Sequence, residues 1–66
     1  MIVFIGDWVK LSGKWRQVVS VNTYMDMFAL LDSDGEYQWF GTEAPEFFDN
    51  HVSDTEMQDK LQENGL

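Results

Sequence analysis

Residues 6–21 read GDWVKLSGKWRQVVSV. Apolar and polar side chains alternate on both sides of Ser12-Gly13, as in two strands joined by a tight turn. Two registers compete. A two-residue loop, Ser12-Gly13, sets Leu11 opposite Lys14 and puts Val9 and Leu11 on the face of Lys14 and Arg16. A three-residue loop, Ser12-Gly13-Lys14, sets Leu11 opposite Trp15. Val9, Leu11, Trp15, Val19 and Val21 then share an inner face, and Trp8, Lys10, Arg16 and Ser20 an outer one. A slip of one residue reverses every side chain, and keeping the apolar set together favours the second register. It makes Trp15 a core residue and leaves Trp8 outside, flanked by Lys10 and Arg16.

Working outward, the spacing predicts a first strand over Ile2–Leu11, interrupted at Gly6-Asp7. A glycine within an extended run marks a bulge or sharp bend. Further strands are predicted at Trp15–Asn22, Met27–Leu31 and Tyr37–Phe40. The last two are joined by Asp32-Ser33-Asp34-Gly35, whose acids accept backbone hydrogen bonds and whose glycine suits a left-handed position. Beyond them, Pro45 keeps Ala44 extended and so opens a turn. Phe47 and Phe48 are adjacent and face opposite ways, one sealing the core and the other outside. A helix is predicted over about 54–63. Ser53 and Glu56 have capping-box spacing, Val52 and Met57 form a hydrophobic staple, and Gly65 closes the helix. Met57 and Leu61, four apart, make a narrow apolar stripe for docking. The expected class is α+β, mostly β: a small antiparallel barrel or meander of four to five strands with a C-terminal helix. It forms one domain over 1–66: a meander at 1–41, a turn segment at 42–52 and the helix at 53–66.

Sixty-six residues support only a thin core. Without cysteine there is no disulfide, thiol chemistry or thiolate metal ligand. Ten large rings supply the volume instead: Phe4, Trp8, Trp15, Tyr24, Phe28, Tyr37, Trp39, Phe40, Phe47 and Phe48. The opening MIVFI lacks a positive leader and is too short for a signal-peptide core, so a cytoplasmic protein is expected. No membrane association is expected either, since no run has the length of a membrane span. As an apolar strand, Met1–Ile5 is an aggregation hazard unless paired, and it offers a route to a homodimer. The net charge is −8, from twelve acids against four cations. All the acids except Asp7 and Asp26 lie after residue 31, where Lys60 is the only cation. That half repels nucleic acid and anionic membrane.

Few residues carry a chemical signature. Asp32–Glu36 (DSDGE) matches part of a calcium loop, but the further ligand positions and the downstream glutamate are missing at the required spacing, which leaves a β-turn. His51 is the only histidine. With Asp49 and Asp54 as its neighbours in sequence it reads as a surface or capping residue, since catalysis needs a nucleophile or an orienting acid and a metal needs several ligands. No carboxylate pair sits in an apolar context suited to acid–base work. The chain is read as a non-enzyme with no catalytic, cofactor or metal site. Trp8, Lys10 and Arg16 form one candidate contact, as a tryptophan beside two cations stacks a base or clamps a peptide. Tyr37, Phe48 and the acids Glu43, Glu46 and Asp49 form another.

Gly6-Asp7, the valines Val18, Val19 and Val21, the Asp34-Gly35 turn and Trp39 resemble the small SH3-like barrels, including the KOW and Tudor-like groups, over residues 6–42. The resemblance is at the level of fold and implies a barrel. The nucleic-acid binding common among KOW-type proteins is not carried over, because four cations against twelve acids supply little counterion release. The expected function is that of a small acidic accessory or regulatory protein binding a protein partner with a basic surface. In a sharper version the acids mimic nucleic-acid phosphates and inhibit a nucleic-acid-handling enzyme. The alternative is a nucleic-acid-binding module using Trp8, Lys10, Lys14 and Arg16.

Overall fold

The computed structural model describes residues 1–64. Five strands are present: β1 (Trp8–Leu11), β2 (Lys14–Asn22), β3 (Met27–Leu31), β4 (Tyr37–Gly41) and β5 (His51–Val52). A 3-10 turn, Pro45–Phe47, precedes β5, and helix α1 spans Asp54–Asn64. The strands form one antiparallel sheet in the order β4-β3-β2-β1-β5. The first four make the expected meander, and β5 returns to pair with β1. The sheet is open, with β4 and β5 at its two edges. β2 pairs with β1 along its first part and with β3 along its second, and its register shifts between Val18 and Ser20.

The β1–β2 hairpin adopts the two-residue loop, not the three-residue loop expected. Leu11 pairs with Lys14, Lys10 with Trp15, Val9 with Arg16 and Trp8 with Gln17. Ser12 and Gly13 both have positive φ, 53° and 79°. This is the backbone sign of a type I′ turn, whose twist matches that of the flanking strands. Trp15 therefore leaves the inner face and joins Trp8 on the outer one, while Arg16 moves to the inner side opposite Val9. The same alternation turns Val19 out and Val18 in, and the register shift that follows keeps Val21 on the inner face. Burial misdirected the choice because it assumed one apolar face. The outer face of this hairpin is itself roofed by α1.

The N-terminal run also differs from expectation. Only Trp8–Leu11 is strand. Asp7 N–H donates to the Phe4 carbonyl at 3.0 Å, closing a turn at Gly6, whose φ is 99°. Gly6 N–H then donates to the Val18 carbonyl at 2.9 Å, and Val18 N–H to the Asp7 carbonyl at 2.7 Å. Two residues thus face one across the strands, which is the expected bulge. In Met1–Ile5, Val3 is buried and Ile2, Phe4 and Ile5 are exposed. Met1–Ile5 is therefore not a strand.

The core lies on the inner face, where Val3, Val9, Val18, Phe28, Leu30 and Phe47 are buried. Three rings lock it. Phe47 meets Phe28 and Phe40 edge-on, with centroids 5.3 Å and 4.9 Å apart. Ala44 is extended ahead of Pro45, and the turn that follows drives Phe47 inward and leaves Phe48 66 % exposed. At α1, Ser53 Oγ accepts the Glu56 N–H at 3.2 Å, the N-cap bond expected there. Gly65, expected to close the helix, lies outside the described residues. Of the predicted stripe, Met57 is buried but Leu61 is exposed. Asp54, Met57 and Lys60 are three apart and share the docked side instead. No described helix is long and apolar enough to cross a membrane.

Candidate functional site

The outer face of the sheet has two halves with different fates. Over β1 and β2, Trp8 Nε1 donates to Asp54 Oδ1 at 2.9 Å. The ammonium groups of Lys10 and Lys60 lie 5.9 Å and 5.7 Å from the centre of the Trp15 ring. One tryptophan is thus tied to the first turn of α1 and the other is held between a strand lysine and a helix lysine. Met57 lies between Asp54 and Lys60 on the helix and is buried. Trp8 and Trp15 are half-buried. The helix is covered on one side and the tryptophans on theirs, and this is the second apolar layer that the hairpin register serves.

The predicted cluster of Trp8, Lys10 and Arg16 is consequently divided. Trp8 is engaged by the helix, Lys10 leans on Trp15, and Arg16 is half-buried on the opposite face. Lys14 is exposed beside the turn, on the side of Arg16.

Over β3 and β4 the outer face is open. Cross-strand pairing of Leu31 with Tyr37 and of Ala29 with Trp39 puts these four on one side. Tyr37 is 63 % exposed, and Trp39 and Leu31 are 45 % exposed each. Acids stand at both ends of β4. On the near side are Asp32, Asp34 and Glu36, and Glu43 lies in the turn that closes the far side; Glu46, exposed Phe48 and Asp49 follow on the segment that leads back to β1, where the Lys10 N–H donates to the Asn50 carbonyl at 3.1 Å. Glu43 lies 3.4 Å from the amino nitrogen of Met1. Tyr37, Glu43, Glu46, Phe48 and Asp49 thus belong to β4 and the loop after it. They stand apart from the tryptophan–helix layer.

Asp32 organises the near end. Its Oδ1 accepts the N–H groups of Asp34 and Glu36 at 2.9 Å and 3.0 Å, and its Oδ2 accepts Gln38 Nε2 at 3.2 Å. The Glu36 amide is the foremost cause holding this carboxyl below the usual aspartate range. Asp34, Gln38 and the Arg16 charge act in the same direction, against partial desolvation. The DSDG turn is therefore a backbone-capping device, and its carboxylate is charged down to unusually low pH.

Sequence reasoning missed two features. Trp39 is an outer-face residue two positions from Tyr37, and strand alternation alone was enough to pair them. The other is a buried polar contact. His51 Nε2 lies 2.7 Å from Asp7 Oδ2, which also accepts the Phe4 N–H at 2.9 Å. A carboxylate only accepts, so His51 Nε2 is the donor. The acid that meets His51 is 44 positions away, not the neighbouring Asp49 or Asp54, and no local spacing signals it. The contact clamps the N-terminal turn to β5 and thereby to the start of α1.

Near Val21 and Thr23, the residues Ile2, Val3, Phe4 and Ile5 line a shallow apolar groove. A scan of protein-family models, a search of curated proteins and a search of solved structures each found no match to this chain.

Proposed function

We propose that this chain is a small accessory protein that acts by binding the basic surface of a protein partner, without catalysis. The observation that carries the reading is the open half of the outer face. An uncharged strand bearing Tyr37 and Trp39 runs between two acidic ends, in a chain of net charge −8. Such a field speeds encounter with a cationic partner, and the exposed rings supply contact area once it docks. In a narrower form of the reading the acids stand in for nucleic-acid phosphates and block a nucleic-acid-handling enzyme. Support for nucleic-acid binding through Trp8, Lys10, Lys14 and Arg16 is weaker, because these side chains are divided between two faces. A kinship with SH3-like barrels is proposed alongside, supported by one long strand shared between two halves of the sheet at a bulge.

The test is a titration of the labelled protein with a lysine-rich peptide and, separately, with a single-stranded oligonucleotide, each at two salt concentrations. The reading expects peptide binding that weakens with salt and no oligonucleotide binding. Oligonucleotide affinity that falls steeply with salt overturns it.

A further inference from the structure

We infer that β4 receives an extended segment of the partner, flanked by lysine or arginine, as an added strand at the open edge of the sheet; this rests on the proposed protein-binding function. The backbone defines the edge. Thr42 N–H donates to the Asp26 carbonyl, and Asp32 N–H donates to the Glu36 carbonyl. Hydrogen-bonded pairs in an antiparallel ladder recur every second residue. Glu36, Gln38, Phe40 and Thr42 therefore bond inward to β3, and the N–H groups of Tyr37, Trp39 and Gly41 and the C=O groups of Tyr37 and Trp39 point outward, the Gly41 carbonyl already accepting the Ala44 N–H at 3.0 Å. These three residues are exposed, and among the described residues no strand pairs with β4 on that side. Natural sheets blunt such an edge with proline, lysine or a bulge. β4 has none of these: its sequence is Tyr-Gln-Trp-Phe-Gly and its pairing with β3 is continuous.

Charge selects the occupant. Glu36 directly precedes the strand and Glu43 lies in the turn that follows it, 84 % exposed although 3.4 Å from the Met1 ammonium. Asp34 extends the first cluster. A second copy of this chain is a poor partner, because two β4 strands pairing edge to edge bring acids together in either orientation. A segment with an uncharged, alternating centre and a cation at each end meets opposite charge at both ends. It also satisfies the outward groups of Tyr37 and Trp39 and the Gly41 N–H.

The probe is the end-blocked peptide KKVTVTVKK, added to isotope-labelled protein at low salt and followed by amide hydrogen exchange. The amides of Tyr37, Trp39 and Gly41 should slow about tenfold or more, while those of Gln38 and Phe40, already bonded within the sheet, change little. N-methylating the central residues of the peptide should weaken binding by about tenfold or more. Replacing its lysines with glutamates should abolish binding. Trp39→Pro removes an outward N–H that the fold does not use, so it should abolish binding, whereas Trp39→Ala retains the strand contacts and binds more weakly. If the proline variant fails to fold, the N-methylated peptide still decides the matter on the native protein. Equal binding of parent and N-methylated peptides, or protection confined to amides other than the three named, overturns strand addition while leaving charge-driven binding intact. Failure of KKVTVTVKK to bind at all overturns both.

Discussion

Replacing Asp7 with alanine should be among the most damaging polar substitutions in the chain. The residue is buried, and its carboxylate accepts two hydrogen bonds, from Phe4 N–H and His51 Nε2. Alanine leaves both donors without that acceptor. A partly buried donor stranded in this way costs about 1–3 kcal/mol, and water reaches the part-buried imidazole more easily than the amide. The total is about 2–4 kcal/mol. A domain of this length has roughly 3–10 kcal/mol of stability in all. The melting temperature should therefore fall by roughly 10–25 °C. Asp7→Asn should cost less, since its carbonyl still accepts from Phe4 and its amide donates to the other imidazole tautomer. His51→Ala leaves the Phe4 contact in place and should cost about 1–2 kcal/mol. Urea unfolding of both single variants and the double variant, read by tryptophan fluorescence, gives the coupling. The double variant should fall short of the sum by about 1–2 kcal/mol. Strict additivity, or an Asp7→Ala protein within about 0.5 kcal/mol of the parent, would refute the clamp.

Three further predictions test other parts of the fold. Ser12→Gly and Ser12→Asn should each stabilise by about 0.5–1 kcal/mol in urea unfolding, because a non-glycine residue with positive φ is strained and Asn-Gly is the preferred type I′ pair; destabilisation by both would count against the two-residue loop. Phe47→Ala should cost about 3–5 kcal/mol and leave little folded protein, while Phe48→Ala stays within about 0.5 kcal/mol, as differential scanning of the two will show. The lowered Asp32 pKa means that its charged form stabilises the fold above the ordinary aspartate pKa, and that this stabilisation is lost as pH falls through the lowered value. The melting-temperature gap between the parent and Asp32→Asn should thus be widest near neutral pH and close in acid; a gap that widens in acid would contradict the sign.

The elements built on local chemistry were legible in the sequence. Met27–Leu31 has the predicted bounds, the Asp32–Gly35 turn has its capping bonds, and α1 starts at the Ser53 cap. Phe47 went in and Phe48 out because adjacent side chains diverge. The hairpin register was illegible for a different reason. Both registers satisfy local rules, and the choice depends on whether anything lies above the outer face. That depends on α1, more than forty residues downstream of the turn. Deciding the register from β1 and β2 alone therefore gave Trp15 to the wrong layer. Asp7–His51 has the same character, as a contact fixed by the return of β5 to β1.

The candidate surface follows from that same helix. A five-stranded open sheet has two faces, and here the inner face is filled by Phe28, Phe40 and Phe47. One helix of this length roofs only part of the outer face. It lands over β1 and β2 because Asp54 finds the Trp8 N–H and Lys60 finds the Trp15 ring. Tyr37, Trp39 and Leu31, on the strands the helix does not reach, keep their exposure. Glu36 and Glu43 then stand at the ends of an outer-face patch where large side chains and unpaired backbone meet. Had the three-residue loop formed, Trp8 beside Lys10 and Arg16 would have been the natural point of contact. The two-residue loop gives Trp8 and Trp15 to the helix and moves the open aromatic surface to β4, with the opposite charge around it.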